Sequence, residues 1–250
     1  MRPLALLTRP RPDSETLAAL LRDRGVESLI EPVIDIHPLD NVQLPNLDKM
    51  QALLLTSANG VRALAQLSDP PPEMRHIALL AVGAASAEAA RQVGFQNVRS
   101  AGGDVEALVA LARARLNPAR GPLLHVAGTN VAGDLAAMLE SHGFDVQREH
   151  IYEARARAQL STKAQKALAD SKIDMALFFS PRSAHAFAKL SCAAAVDSAL
   201  AQVTAICLST AVAEAASGVT WRRVRIAREP EKAALLDEVA REINVAEHGL

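Results

Sequence analysis

An internal repeat constrains the fold of this 250-residue chain more than any other feature of its sequence. Three blocks recur in the same order: LAALLRDRGVESLIEP with LAAMLESHGFDVQREH, LLLTSANGVRALAQL with ALFFSPRSAHAFAKL, and ASAEAARQVGFQNVRSA with AVAEAASGVTWRRVRIA. The aligned pairs, at offsets of 118, 123 and 126 residues, include Leu17 with Leu135, Ser57 with Ser180, and Ala87 with Ala213. Alanine-rich helices match one another by chance, but three matches in order predict a duplicated unit.

Each copy alternates short apolar runs with Ala/Leu-rich helical stretches. Runs such as ALLLT, IALLAVG and MALFF are typical of buried parallel strands. The pattern predicts helices that begin at about Ala58, Ala84 and Val105. In the first helical stretch, Asp13 and Ser14 are the candidates for the N-cap. Strands that alternate with helices in this way predict an α/β fold with parallel sheets.

The composition excludes several classes of partner. Lys and Arg total 27 against 28 Asp and Glu, so there is no basic excess for nucleic acid, and aromatics at 3% leave few stacking platforms. The apolar runs are too short to cross a bilayer, and MRPLALLTRPRPDSE does not have the pattern of a signal peptide. With only Cys192 and Cys207, we expect a cytoplasmic protein without disulfides, nucleic acid or membrane partners.

The sequence also lacks the common signatures of bound cofactors. It contains no G-x-G-x-x-G after a strand, no P-loop and no G-x-S-x-G, and its seven histidines are scattered. The spacing of the histidines and the two cysteines does not suit a metal site, so we expect neither metal nor cofactor. His125 falls inside an apolar strand pattern, and we interpret it as a core histidine with satisfied hydrogen bonds rather than as a base.

The predicted strand ends carry small or polar residues. Two similar open sheets joined by two connections would leave a cleft, and ligands of such sheets bind beyond the carboxyl ends of the strands, where helix N-termini direct free N–H groups. The residues at these ends are Thr8, Ser57, Gly83, Gly128, Ser180 and Ser209. They suit an anionic small molecule, and they equally suit helix capping.

A series of motifs runs through nearly the whole chain: LLTRP, LLRDRGVESLIEPVIDI, LLLTSANGVRAL, LAVGAASAEAA, LLHVAGTNVAGDLAAMLESHGFDVQREHIYEA, LFFSPRSAHAF and ICLSTAVAEAA. This series resembles the uroporphyrinogen-III synthase family. The resemblance implies two similar open parallel-sheet, flavodoxin-like α/β domains joined by a two-stranded linker. The implied domains are residues 1–36 plus 155–250, and 40–149, with linkers at about 33–40 and 148–156. The sequence by itself also allows two contiguous halves that meet near NPARG.

The resemblance further implies a reaction. The family cyclises hydroxymethylbilane, a linear tetrapyrrole, to uroporphyrinogen III in heme biosynthesis, with loss of water and inversion of the terminal pyrrole ring. The substrate is reactive by itself, so the protein mainly fixes its conformation and stabilises cationic intermediates. Neither a cofactor nor a metal is implied, and we expect a monomer whose only partner is the small-molecule tetrapyrrole.

Individual residues carry this resemblance. Tyr152, the only tyrosine, matches a linker-strand tyrosine and is the catalytic candidate as a donor to the departing hydroxyl, although a half-buried strand tyrosine would look the same. Arg9 suits either a bidentate carboxylate contact or a structural salt bridge. In the last turn, Ala211 and Val212 depart from the family's Gly/Thr-rich pattern, so no mechanism that needs hydroxyls there applies. The substrate-binding candidates are Thr8, Arg9, Ser57, Ser86, Gly128, Ser180, Ser209 and Thr210.

Two other functional classes remain open on the residues alone. One is a hinge-type two-domain module that binds or senses an anionic metabolite without chemistry. The other is an α/β enzyme on phosphorylated substrates that uses helix N-termini for the phosphate, although the phosphate-binding loop is missing.

Overall fold

The computed structural model describes residues 2–67, 72–130 and 134–248. The chain divides into two compact units. Unit 1 consists of Met1–Asp35 and Arg155–Leu250, and unit 2 consists of Ile36–Ala154. Unit 1 is therefore built from two separate stretches of sequence, and unit 2 from the stretch between them.

The strands are mostly four residues long and form two sheets. In chain order they are β1 (Leu4–Leu7), β2 (Glu27–Ile30), β3 (Ile34–Pro38), β4 (Ala52–Leu55), β5 (Ala78–Ala81), β6 (Val98–Ser100), β7 (Leu123–Gly128), β8 (Val146–Ala156), β9 (Met175–Phe178), β10 (Thr204–Cys207) and β11 (Arg223–Ile226). The strands β4, β7, β9 and β10 are buried along their whole length, as expected of inner strands in parallel sheets.

Helices follow most of these strands. They are α1 (Arg11–Arg22), α2 (Ala58–Ala65), α3 (Ala84–Gln92), α4 (Val105–Arg115), α5 (Leu135–Glu140), α6 (Thr162–Ala169), α7 (Pro181–Ala193), α8 (Thr210–Ala215) and α9 (Lys232–His248). The predicted starts at Ala58, Ala84 and Val105 are confirmed. No helix among the described residues is long and apolar enough to cross a membrane.

The predicted N-cap of α1 at Asp13 or Ser14 is wrong. The helix begins at Arg11, with Pro12 in its first turn. A proline is tolerated there because the first backbone N–H groups of a helix have no intrahelical partner. The Ser14 hydroxyl instead donates, over 2.9 Å, to the carbonyl of Arg9, which lies two residues before the helix begins.

Both sheets have the same spatial order of strands, although the chain visits them in a different sequence. Unit 1 has the order β2-β1-β9-β10-β11, and unit 2 has β8-β7-β4-β5-β6 with β3 added beside β8. Neighbouring strands in both five-strand sets are parallel. The repeat offsets place β7, β4 and β5 on β1, β9 and β10. This is the 2-1-3-4-5 order of flavodoxin-like sheets, so the predicted fold class of two similar open parallel-sheet domains is confirmed.

The sheet of unit 2 is covered by apolar clusters on both faces. Alternate residues of β4 point to opposite sides, as the two-residue period of a strand requires. Leu53 and Leu55 pack with residues of α2 and α3, whereas Ala52 and Leu54 pack with residues of α4 and α5. In unit 1, the cluster on one face joins β1 to α1 and α9.

Strands β3 and β8 are neighbours, and each carries the chain across the boundary between the two units. The N–H of Leu39 donates to the carbonyl of Ile151 over 2.9 Å, and that of Arg157 to Val33 over 3.0 Å. Because the residue numbers run in opposite directions, the pair is antiparallel. Arg157 also forms a forked ion pair with Asp35, with Nε and Nη2 both 2.9 Å from Oδ1.

A buried carboxylate fixes the end of β2 to the start of α6. Glu31, only 2% exposed, accepts hydrogen bonds from the N–H and the hydroxyl of Ser161 over 2.7 and 2.5 Å. The same hydroxyl oxygen accepts from the N–H of Ala164 over 3.1 Å and so caps α6. Glu31 thereby holds both donor groups of the residue that caps α6.

A second buried carboxylate, Glu242, holds α9 against the starts of β10 and β11. Its oxygens accept from the Thr204 hydroxyl over 2.7 Å, from Arg222 over 2.8 Å and from Arg225 Nε over 2.5 Å. Burial alone raises the pKa of the Glu242 carboxyl, but the bonds from Thr204 and Arg225 and the charges of Arg225 and Arg222 outweigh burial and lower the pKa overall.

We expect Glu242→Gln to destabilise unit 1 by about 2 kcal/mol at neutral pH, because charge-assisted hydrogen bonds to buried groups are lost. Since the folded-state pKa is lowered, this stabilisation is present above the ordinary carboxyl pKa of 4.5 and is lost as the pH falls through the folded value. Urea unfolding followed by Trp221, the only tryptophan and a residue of unit 1, measures both effects. Asp237→Asn, at an exposed position of α9, is the control and should change neither.

Candidate functional site

The order of each sheet reverses at one point, between β1 and β9 in unit 1 and between β7 and β4 in unit 2. In doubly wound sheets, ligands bind beyond the carboxyl ends of the strands at this point. Thr8 and Arg9 follow β1, Ser180 follows β9, Ser57 comes after β4, and Gly128 ends β7. The structure therefore places these five sequence-predicted residues at the switch points of the two sheets.

Thr8 is completely buried at the switch point of unit 1. Its hydroxyl donates to the carbonyl of Leu177 in β9 over 3.0 Å, so it joins the ends of two neighbouring strands. The hydrogen of this hydroxyl is used inside the protein, which gives Thr8 a structural role. A contact between its side chain and a substrate stays a prediction.

Arg9 is held on two sides within unit 1. Its Nη2 lies 3.1 Å from Oδ2 of Asp13, and its guanidinium carbon lies 4.5 Å from the centroid of the Phe179 ring. The side chain is 21% exposed. The ion pair and the cation–π contact restrict the guanidinium at the carboxyl edge of the sheet. The structural salt bridge anticipated for Arg9 is therefore present, and a contact with a substrate carboxylate stays a prediction.

Ser57 and Ser180 are the N-caps of equivalent helices. The oxygen of Ser57 accepts from the N–H of Asn59 over 3.1 Å in α2. The oxygen of Ser180 accepts from the N–H of Ser183 over 3.2 Å in α7. The hydroxyl oxygens of Ser180 and Ser183 lie 2.9 Å apart. A capping hydroxyl accepts with its oxygen and still has a hydrogen to donate, so capping by Ser57 does not exclude ligand binding by the same residue.

Ser86, Ser209 and Thr210 lie one strand further from the switch points. Ser86 is 5% exposed in the first turn of α3, which follows β5. Ser209 precedes α8 at its N-cap position without a side-chain capping bond, and Thr210 is the exposed first residue of that helix. Val212 is buried in the same helix.

Tyr152 lies in β8 opposite Gly128, where a bulge between Ala127 and Gly128 shifts the strand register. The N–H of Thr129 donates to the Tyr152 carbonyl over 3.0 Å. The tyrosine is 8% exposed, which is more deeply buried than the half-buried residue that the strand pattern allows. A Cβ at Gly128 would lie 2.7 Å from Cε2 and Cζ of the ring, and a Cβ at Gly60 would lie 3.7 Å from Cε1.

His125 lies in the interior of unit 2 and has no exposed surface. Its position in the core is confirmed, but the expectation of satisfied hydrogen bonds is wrong, since neither ring nitrogen has a partner among the described residues. Burial, then the charges of Arg148 and His150, lower its pKa from 6.5 to about 4, against a smaller opposing effect of Asp134. At the equivalent position of unit 1, the repeat carries Leu7.

Sequence reasoning missed several residues around the candidates. Asp13 follows Arg9 by four residues, the spacing of helical ion pairs, so this partner was detectable in the sequence. Phe179 and Gly60 carried no such signal, because their proximity to Arg9 and Tyr152 arises only from the packing of separate elements.

The fold and the two switch points define a two-domain α/β protein, and the carboxyl edges of its sheets carry hydroxyls, helix N-termini and the guanidinium of Arg9. The chain belongs to the uroporphyrinogen-III synthase HemD family, because the model of that family matches residues 15–237. No group of three or more His, Cys, Asp or Glu residues suited to a metal occurs in the described part of the chain.

Two relatives illustrate the sequence similarity. The chain is 26% identical over 228 residues to the porphyrin biosynthesis protein HemD of Ruminiclostridium josui, covering 88% of this chain and 44% of that protein. It is 25% identical over 193 residues to the uroporphyrinogen-III synthase of Chlorobaculum parvum, covering 73% and 76%. The chain thus spans less than half the length of the first relative.

Two solved structures share the fold. Uroporphyrinogen-III synthetase from Helicobacter pylori 26695 superposes with a TM-score of 0.62 at 19% identity, covering 96% of this chain and 99% of that chain. A mutant uroporphyrinogen III synthase from the extremely thermophilic bacterium Thermus thermophilus gives a TM-score of 0.54 at 19% identity, covering 97% and 99%. At these identities the likeness establishes the architecture.

We expect His125→Leu to remove an acid sensitivity of unit 2. Between pH 6.5 and about 4, His125 binds a proton in the unfolded chain but not in the folded one. The free energy of unfolding therefore decreases as the pH is lowered across this window, by up to about 3 kcal/mol. Unfolding followed by the absorbance of Tyr152, the only tyrosine, measures the difference between variant and wild type at pH 7 and 4.5. His142→Gln, at an exposed site of unit 2, is the control. Parallel pH profiles for wild type and His125→Leu would refute the assignment.

Proposed function

We propose that the chain is a uroporphyrinogen-III synthase. It cyclises hydroxymethylbilane to uroporphyrinogen III, with inversion of the terminal pyrrole ring and loss of water. The observation that carries this proposal is the family match over residues 15–237. The names of the relatives and the shared two-unit fold agree with it.

The carboxyl edges of the two sheets suit the acetate and propionate arms of this substrate. The N-termini of α2 and α7 present backbone N–H groups, which favour anions, and the hydroxyls of Ser57 and Ser180 stand at these termini. Arg9 adds a guanidinium whose fork matches a carboxylate. Ser86, Ser209 and Thr210 contact the substrate one strand away from the switch points. Thr8 and Gly128 contribute to substrate binding mainly through their backbone.

The reaction begins with departure of the terminal hydroxyl as water, which leaves an electrophilic azafulvene. The last pyrrole ring attacks the carbon that lost the hydroxyl, using its own substituted ring carbon, and forms a spiro intermediate. This intermediate fragments and recloses with the last ring inverted. Tyr152 donates a hydrogen bond or proton to the departing hydroxyl. The remaining residues hold the arms so that the inverting closure is faster than the spontaneous one.

The proposal further includes a monomer that acts in the cytoplasm, with no nucleic-acid or membrane partner. The net charge of −1 supports the absence of a nucleic-acid partner, and the presence of only two cysteines supports a reducing compartment. Light scattering that gave a multiple of the chain mass would contradict the monomer.

The decisive assay supplies freshly made hydroxymethylbilane and separates the type III from the type I product. We expect the type III isomer to form faster than spontaneous closure, and to form equally well after treatment with a chelator, because no step uses a metal. Type I product alone, at the spontaneous rate, would contradict the proposal. Binding of the substrate without turnover would instead identify a binding module.

Ser57→Gly separates capping from substrate binding. Glycine replaces serine at an N-cap for only a few tenths of a kcal/mol, so folding should persist. Loss of a hydrogen bond to a carboxylate should raise KM by about tenfold, as measured in the same assay. Asp104→Gly, which removes the cap of α4, is the matched control and should leave KM unchanged. An unchanged KM in Ser57→Gly would assign Ser57 to capping alone.

A further inference from the structure

We propose that Gly128 is a positioning residue for the phenol of Tyr152, and this inference rests on the proposed role of that phenol. Sequence reasoning suggested Gly128 as a substrate contact. The geometry points to a further role, in which the absence of a side chain at residue 128 leaves room for the ring of Tyr152 and determines the position of its hydroxyl.

The distances at Gly128 define this role. A Cβ there would lie 2.7 Å from Cε2, 2.7 Å from Cζ and 3.1 Å from the hydroxyl oxygen of Tyr152. These atoms form the side of the ring that carries the hydroxyl. A methyl group added at residue 128 would therefore clash with the atoms that hold the phenol hydroxyl. Because the ring is rigid, it would have to move as a whole to relieve the clash.

The backbone fixes the two residues opposite each other. Gly128 ends β7, its partner across the bulge is Tyr152, and the N–H of Thr129 donates to the Tyr152 carbonyl over 3.0 Å. The carbonyl of Gly128 also accepts from Nδ1 of His150 over 2.8 Å. These bonds hold the backbone on both strands, so the side chain of Tyr152 has to absorb any added volume.

The other side of the ring is closed by α2. Gly60 approaches Cε1 of Tyr152, and a Cβ at Gly60 would lie 2.8 Å from Cδ2 of Leu55 and 3.5 Å from the carbonyl of Val126. A ring displaced from Gly128 therefore meets the helix that Ser57 caps. In unit 1, the repeat places Pro10 and Ile34 at the positions of Gly128 and Tyr152, so the arrangement belongs to unit 2.

A small displacement of the phenol should affect the chemical step more than substrate binding. Misplacing a reacting group by about 1 Å reduces rates by about a hundredfold. We therefore expect Gly128→Ala to lower kcat by about tenfold to a hundredfold while KM stays within about twofold, with kcat falling no further than in Tyr152→Phe.

The position of the ring is measurable without activity, because Tyr152 is the only tyrosine. Protein labelled with 3-fluorotyrosine gives ¹⁹F signals from this residue alone, and we expect Gly128→Ala to shift them. Gly218→Ala is the matched control, since its added methyl would lie at an ordinary 3.7 Å from Cβ of Ala188; it should change neither the ¹⁹F signals nor kcat. Unshifted ¹⁹F signals in folded Gly128→Ala would overturn the proposal, whatever the activity.

If Gly128→Ala does not fold, a second pair of variants still tests the proposal. Tyr152→Leu removes the ring, so adding Gly128→Ala to it should permit folding and leave kcat equal to that of Tyr152→Leu. A double variant that fails to fold, or that loses kcat further, would overturn the proposal. The ¹⁹F result is independent of turnover, so failure of the positioning role and failure of the synthase assignment, which the wild-type product assay tests, are distinguishable.

Discussion

A parallel sheet that is buried on both faces imposes most of the architecture of this chain. All four residues of β4 are inaccessible to solvent, so helices must cover both faces of the sheet. Because the strands are parallel, the chain must also return to the same end of the sheet after each strand. As a result, the starts of the helices gather beyond the carboxyl ends of the strands. Because of this topology, the polar residues at those ends lie beside backbone N–H groups that have no partner within their own helix.

Local chemistry explains which features the sequence predicts well. The starts of α2, α3 and α4 were predictable because a small or polar capping residue directly follows a short apolar run or precedes a periodic one. The early start of α1 also has a local signal, since Pro12 favours the first turn of a helix and so places the cap before Asp13 and Ser14. The flavodoxin-like order required the resemblance as well, since alternation alone leaves several strand orders open.

Contacts between distant elements explain what the sequence did not reveal. The proximity of Tyr152 to Gly128 depends on a bulge, which has no signature in the residues. The unsatisfied nitrogens of His125 depend on what surrounds the strand in three dimensions, and its repeat partner Leu7 fills the same place with an apolar side chain. The two units thus keep one strand order while their switch points differ in chemistry.

The order in which the strands are synthesised has its own consequence. β1 pairs with β9 across about 170 residues, so the first unit cannot complete its sheet until most of the polypeptide has left the ribosome. Unit 2 is one uninterrupted stretch of sequence between β1 and β9, so all its strands are synthesised before those of unit 1 are complete. A nascent chain therefore holds β1, α1 and β2 with the edge of β1 that β9 will occupy still unpaired while unit 2 folds. During this interval, intermolecular pairing or chaperone binding competes with correct folding.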